Sequence, residues 1–592
     1  MSGAVRAGLL ICAVIAIAES QYDNCFDVES TIKRILDPND TTVCICAYNG
    51  ATVVKGMDLT FTQTSVQTLI DSFDALNGTK FGRIRIKNSS LNELPEDIFE
   101  IVEPQELILD TCELKHLRVS PMGNSAQYLK KLIVRNNTIH RVERGFFAGM
   151  KNLYRLDLSN NDISLIDADS FQDLRELREL FINRNFISDI EDFTFSKLKH
   201  LRQLVMLDNT LKSIKKNTFA GLDNVEMLVL NSNQLNEIDW TAFSNMKKLS
   251  ELNLGKNKIS KVELKGLPQL QKLYVPDNQV KAMKNVMLRD LPSLSLLALD
   301  KNGIKSLGAI AFQGLSKSIG LATLSLASNN ISQISHRTFT VLRNLKTLAL
   351  QENEIQNLTV DEISFLAPLK KLKNLFLSNN KLTTIRINEL PNSLVQLSLD
   401  HNLINRIEPK AFDGLSLKRL YINKNKIQFL YHGAFDGMTP DNLEAIDVSS
   451  NPWQCVCRNA AEWLPRWLEE AEEADVSEGP LGCLAIPGCG KKEGEQKLKP
   501  GEQETPEWIT VSATILAAIS LILLLAIVIL YFKDIAPPKL IRAHRADSDL
   551  HKLIENDNLS NFADSCIMVT PMLKKPNSTS NGEKKKVRFE EN

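Results

Sequence analysis

One pattern, Leu-x-x-Leu-x-Leu-x-x-Asn-x-Leu, recurs along the middle of this chain and limits its fold more than any other feature. It reads Leu153-Leu156-Leu158-Asn161-Ile163, then Leu177-Leu180-Ile182-Asn185-Ile187, then Leu201-Leu204-Met206-Asn209-Leu211. Its asparagines are Asn137, Asn161, Asn185, Asn209, Asn233, Asn257, Asn278, Asn302, Asn329, Asn353, Asn380, Asn402, Asn425 and Asn451. The commonest step is 24 residues; Asn257 to Asn278 and Asn302 to Asn329 are irregular. Upstream the pattern fades through Leu107-Leu109-Cys112, where cysteine replaces asparagine, then Ile84-Ile86-Ser89 and Leu59-Phe61-Thr64. A fixed period of this length marks a stack of like units. The expected fold is an α/β solenoid, a horseshoe of about 17 repeats over residues 59–451.

Each fixed position has a physical task. The Leu-x-Leu segment alternates with period two, so it forms a short strand with two inward side chains. Successive strands form a parallel concave sheet, because one unit cannot bury its apolar residues alone and a stack can. The asparagine turns inward, where its amide bonds backbone groups left unpaired by the turn. Phe171, Phe195, Phe219, Phe243, Phe312, Phe339, Phe412 and Phe435 lie about ten residues past their asparagines and should stack as an apolar spine behind the sheet.

Apolar runs near both ends point to the compartment. Residues 1–20 combine Arg6, the apolar run Ala7–Ala18 and the small-x-small site Ala18-Glu19-Ser20, the pattern of a secretory signal peptide. Residues 508–532 carry no charge and can cross a hydrocarbon layer about 30 Å thick as one helix. Glu502, Glu504 and Glu507 precede that run; Lys533, Lys539, Arg542 and Arg545 follow it. The basic side stays in the cytosol, so the expectation is a single-pass type I plasma-membrane protein with its N-terminus outside. Between the two runs lie eight cysteines and six glycosylation sequons at Asn39, Asn77, Asn88, Asn136, Asn330 and Asn357.

Solenoid ends need caps. Residues 452–490 follow the last repeat and carry Trp453, Cys455, Cys457, Trp463, Trp467, Cys483 and Cys489. This segment resembles the C-terminal flanking domain of extracellular leucine-rich-repeat proteins. The resemblance spans roughly residues 21–490 and includes Toll-type receptors and chaoptin- and connectin-like adhesion proteins. It implies the pairs Cys455–Cys483 and Cys457–Cys489, out of three connectivities that four cysteines allow. Residues 21–58 resemble the family's N-terminal flank, with Cys25, Cys44 and Cys46 but no fourth cysteine, so one of the three is expected to be unpaired or bonded elsewhere. Cys112 sits at a template position and is expected as a buried thiol.

Residues 491–507 read as a stalk and 533–592 as a disordered cytoplasmic tail. That tail is too short for a kinase or a Toll/interleukin-1 receptor domain. Arg542, Arg545 and Ser548 have the spacing of a basophilic kinase site. Lys585-Lys586-Val587-Arg588-Phe589 is similar to the docking motif for protein phosphatase 1, with Val587 and Phe589 as pocket-filling residues.

Function then falls to the variable concave positions. Phe181, Val205 and Val229 occupy adjacent rungs, with Leu207 and Met227 beside them, and are expected as an exposed apolar patch that binds a protein ligand. Phe181→Glu with Val205→Glu should then abolish binding and spare secretion. The region from Phe376 to Tyr421 is a second candidate. No HExxH, GxSxG, Walker or GxGxxG motif occurs, and the eight histidines are scattered. With 70 basic and 71 acidic residues, the whole chain gives no reason to expect nucleic acid. The reading is a receptor or co-receptor for a protein ligand, acting through adaptors, without cofactor or metal; the alternative is a homophilic or heterophilic adhesion molecule.

Overall fold

The computed structural model describes residues 25–36, 42–49 and 56–453, except 50–55, 432–433, 436–437 and 439–441, together with the short strand Asp475–Val476. The expected signal peptide, Asn39, the four cysteines from Cys455 to Cys489, the stalk, the 508–532 helix, the tail, Val587 and Phe589 lie outside the described residues. Among those residues no helix is long and apolar enough to cross a membrane.

The N-terminal cap opens with helix α1 (Cys25–Ile35), which buries Val28 and Ile32. Strand β1 (Val43–Asn49) pairs antiparallel with β2 (Gly56–Thr62), so the first edge of the solenoid sheet is covered. Cys25 bonds Cys46, and the Cys46 amide donates to Glu29 Oε1 at 2.9 Å. Cys44 forms no disulfide among the described residues and is half-buried. Burial beside Glu29 pushes its thiol up to about 12, which suppresses the reactive thiolate. Helix α2 (Val66–Ala75) starts at Ser65, whose side chain accepts from the Thr68 amide.

From β2 onward the strands run parallel and in register, so Leu156, Leu180, Leu204, Leu228, Leu252, Leu273 and Leu297 lie in one row. The sheet has 19 strands; removing β1 and the terminal Asp475–Val476 strand leaves 17 parallel template strands, that is, 16 turns between them. The α content of the described residues is confined to α1 and α2. The convex side is built from 3-10 turns and short strand pairs instead, which corrects the α/β expectation.

The asparagine ladder follows one plan. Asn185 Nδ2 donates to Leu158 O, Ile182 O and Asn183 O at 3.1, 3.3 and 3.2 Å, and its Oδ1 accepts the Ile163 amide at 3.0 Å. One side chain thus ties two rungs together. Cys112 reproduces part of this with its thiol, against Ile86 O at 3.2 Å and Asp110 O at 3.6 Å. Ser89 does so by donating to Lys87 O and accepting from the Thr64 amide. The residue before each ladder position, from Asn88 to Ser450, takes φ between +49° and +57°. None of these sixteen is glycine.

The phenylalanines are buried and touch in runs: Phe147–Phe171–Phe195, Phe219–Phe243, Phe312–Phe339–Phe365 and Phe412–Phe435, with ring centroids 5.8–6.2 Å apart. Between Phe243 and Phe312, at the irregular step, the four-residue strands Val262–Lys265 and Val286–Arg289 pair in parallel instead. Val262, Leu264 and Leu288 fill the space behind the sheet there.

Candidate functional site: the concave sheet

Side chains on either side of the inward leucines project onto the concave face, three to a rung. They form zones that differ sharply along the stack.

The first zone is an ion-pair ladder. Arg83 bridges its two neighbouring rungs, with Nη1 to Asp58 Oδ2 at 3.1 Å and Nη2 to Glu106 Oε2 at 3.0 Å. Arg135 meets Asp110 at 3.1 Å and Arg155 meets Glu179 at 3.0 Å. The Arg83 triad is largely enclosed, the side chains being 18%, 14% and 6% exposed for Arg83, Asp58 and Glu106. Its charges are therefore committed to one another. Sequence reasoning passed over this zone, although Asp58, Arg83, Glu106, Lys131, Arg155 and Glu179 hold equivalent positions and largely alternate in sign.

The second zone holds the predicted patch. The register does bring Phe181, Val205 and Val229 together, with Gln203 opposite Met227. The expected wet face is absent, however: Phe181, Val205 and Val229 are only 4%, 3% and 5% exposed, while Leu207 and Met227 are half-buried. The cause is packing along the column. Each side chain rests on the next rung, and the Arg155 guanidinium lies 4.7 Å from the Phe181 ring centroid. Of the five predicted patch residues, only Leu207 and Met227 offer appreciable accessible surface.

The third zone, from Asn253 to Gln351, is lined mostly by small and polar side chains, with Tyr274 and Leu296 buried among them. Asp300 is buried there. Ser325 Oγ donates to its Oδ1, as does the Ala327 amide at 2.8 Å. Its Oδ2 has no hydrogen-bond partner among the described residues, and burial raises its pKa above the ordinary carboxylate value, opposed by the Ser325 and Ala327 bonds. The fourth zone carries Phe376 and Tyr421, both half-buried, on either side of Ser398. These rings are more accessible than Phe181, so the second of the two sequence candidates presents the better aromatic surface.

The sequon asparagines divide in the same way. Asn77, Asn88, Asn330 and Asn357 are exposed. Asn136 is engaged on both sides, donating to Asp110 Oδ1 at 2.7 Å and accepting from Asn160 Nδ2 at 2.7 Å. No group of His, Cys, Asp or Glu among the described residues is arranged to hold a metal ion.

A solenoid with this ladder, spine and parallel concave sheet is a leucine-rich-repeat protein of the Toll-ectodomain fold. The leucine rich repeat family profile matches residues 127–185, 175–235, 223–280, 319–382 and 392–452. The chain is 56% identical over 593 residues, 98% of each sequence, to P-granule-associated novel protein 1 of Caenorhabditis elegans, and it belongs to that protein's family. Shorter similarity reaches Toll-like receptor 7 of Drosophila melanogaster, 32% over 100 residues, or 16% of this chain and 7% of that one. Among solved structures, the TLR13–ssRNA13 complex superposes with TM-score 0.56 at 24% identity, over 70% of this chain and 56% of that one. The Drosophila Toll–Spatzle complex gives 0.51 at 17%, over 69% and 65%. At these identities the structural likeness establishes the fold alone.

Proposed function

We propose that the chain is a cell-surface recognition protein that binds a protein ligand on its concave sheet and has no catalytic role. The observation that carries this reading is the concave face itself: a continuous sheet whose outward residues change character from rung to rung while the inward residues repeat. Repetition inside builds the fold, and variation outside is free to serve a partner. Within that face, Phe376 and Tyr421 are the proposed anchors, with Leu207 and Met227 as secondary contacts. Accessible aromatic side chains contribute most per residue to such interfaces.

Display outside the cell is supported by the Cys25–Cys46 bond, which is typical of oxidising compartments, by the four exposed sequons, and by the uncharged 508–532 run. Receptor or co-receptor is the first assignment and adhesion molecule the second. Docking of protein phosphatase 1 at Val587 and Phe589, or phosphorylation at Ser548, would give a receptor its inward signal.

The name of the 56%-identical relative favours a different setting, association with P granules. A chain that spans a membrane and exposes residues 533–592 to the cytosol could satisfy both. The test is antibody labelling of a tag placed in the 491–507 stalk. Labelling of intact cells supports surface display; labelling only after permeabilisation, on granules, overturns it.

A further inference from the structure

The chain as a whole is nearly neutral, but residues 242–350 are not: they hold sixteen Lys and Arg against five Asp and Glu. Five of these cations are occupied, Arg343 among them through its Nε bond to Thr340 O. Lys261, Lys272 and Lys317 pair with Glu263, Glu251 and Asp290, and Lys247 donates to Gly266 O. Most of the others are exposed and make no ion pair among the described residues.

The repeat geometry gathers five of them on one edge. Lys256 and Lys301 directly precede Asn257 and Asn302, at φ +51° in both cases, where the backbone aims the side chain off the solenoid. Lys258 directly follows Asn257, and Lys281 and Lys305 stand three residues past Asn278 and Asn302. The three turns are stacked by backbone bonds, Asn257 N to Asp277 O and Asn278 N to Lys301 O, both 3.2 Å. All five lysines are exposed. Asp277, between Lys256 and Lys301 in the stack, is the acidic member of this edge, so the stripe keeps a surplus of four positive charges. Asn330, in the next turn, bounds it.

We infer that this lysine edge binds a sulfated polysaccharide chain. The inference rests on the extracellular reading for its choice of partner and on the charge geometry for the site. A linear polyanion suits the edge because the cations recur at the spacing of the rungs. Lysine, a compact point charge, suits sulfate groups without demanding planar bidentate geometry. Single-stranded nucleic acid fits less well: its binding surfaces interleave cations with aromatic rings that stack on bases. The only large exposed hydrophobic residues between 242 and 350 are Ile310 and Ile319, and neither is aromatic.

The test is binding of the full-length, detergent-solubilised chain to heparin, and separately to poly(U), at about 0.15 M NaCl, where exposed charges still act over about 8 Å. One variant neutralises the stripe: Lys256→Asn, Lys258→Gln, Lys281→Ser, Lys301→Asn and Lys305→Ser. A control neutralises Lys151, Lys199, Lys370, Lys373 and Lys426, all exposed elsewhere. The expected result is a loss of roughly tenfold or more in heparin affinity for the stripe variant, a shallower salt dependence, and little change for the control. Circular dichroism of both variants guards against misfolding. Equal losses in both variants, or no heparin binding by the parent, overturn the site. Tighter binding to poly(U), lost in the stripe variant, overturns the sulfated partner. Surface labelling is read independently, so failure of the extracellular reading remains distinguishable from failure of the site.

Discussion

Replacing Asn329 by Ala removes one of the two most heavily used side chains of the ladder, at a 27-residue step. Asn329 Nδ2 donates to Leu299 O, Leu326 O and Ala327 O at 3.0, 3.0 and 3.1 Å. Its Oδ1 accepts the amides of Asn302 and Ile304 at 3.1 and 3.0 Å. The substitution leaves two buried amides without an acceptor, and each costs about 1–3 kcal/mol. The carbonyls share two hydrogens and keep second lone pairs for other partners, so their loss adds less. The expected destabilisation is about 3–4 kcal/mol, a large share of a typical stability of about 5–15 kcal/mol. Because a solenoid couples only neighbouring repeats, the loss should also divide the unfolding transition around residue 329. Equilibrium urea unfolding followed by far-ultraviolet circular dichroism measures both effects. A loss below about 1 kcal/mol would mean that water satisfies the freed amides and that the ladder is not what joins these rungs.

The concave zones separate folding from binding. Phe181→Glu, at a 4%-exposed position, should cost several kcal/mol and reduce surface delivery, whereas Phe376→Glu with Tyr421→Glu should spare surface delivery and lower ligand capture at least tenfold; pulldown with the purified chain and quantitative surface labelling of intact cells distinguish them. Lys424→Gly, at φ +52°, should raise stability by about 0.5 kcal/mol, since glycine removes a strain of about 1 kcal/mol and gives part of it back in unfolded-state entropy; thermal unfolding decides the sign. Asp300 is an acid whose folded pKa lies above its unfolded one, because burial disfavours the carboxylate. Its ionisation therefore destabilises the fold fully above the folded value and not at all below the unfolded one. Asp300→Asn should accordingly be more stable than the parent at neutral pH, with the difference closing on acidification, as read from paired urea titrations; a gap that is constant with pH would refute the assignment.

The repeat was legible because each template position has one physical task that few residue types can perform. Inward leucines, the turn asparagine and the spine phenylalanine therefore announce register and count directly. The exposure of Phe181, Val205 and Val229 was not legible. Alternation specifies which side of the strand a residue occupies, but not how tightly neighbouring columns close over that side. The Arg155 guanidinium that covers Phe181 comes from a rung 24 residues or more upstream. The pairing of Cys25 with Cys46, leaving out Cys44, needed the position of α1 against β1, which spacing alone does not supply.

The ion-pair ladder at the N-terminal end makes those repeats non-interchangeable. Arg83 is flanked by acids on both adjoining rungs, so excising its rung would set Asp58 against Glu106, two enclosed like charges without the arginine that bridges them. In the middle of the stack, excising the Met227–Val229 rung would set Gln203 against Glu251 and Val205 against Asn253, which creates no such conflict. Gain or loss of whole repeats is thus permitted in the centre and penalised at the start. Lineages of this family should vary in length between residues of the Val229 and Ser325 kind while keeping the charged entry rungs in fixed order.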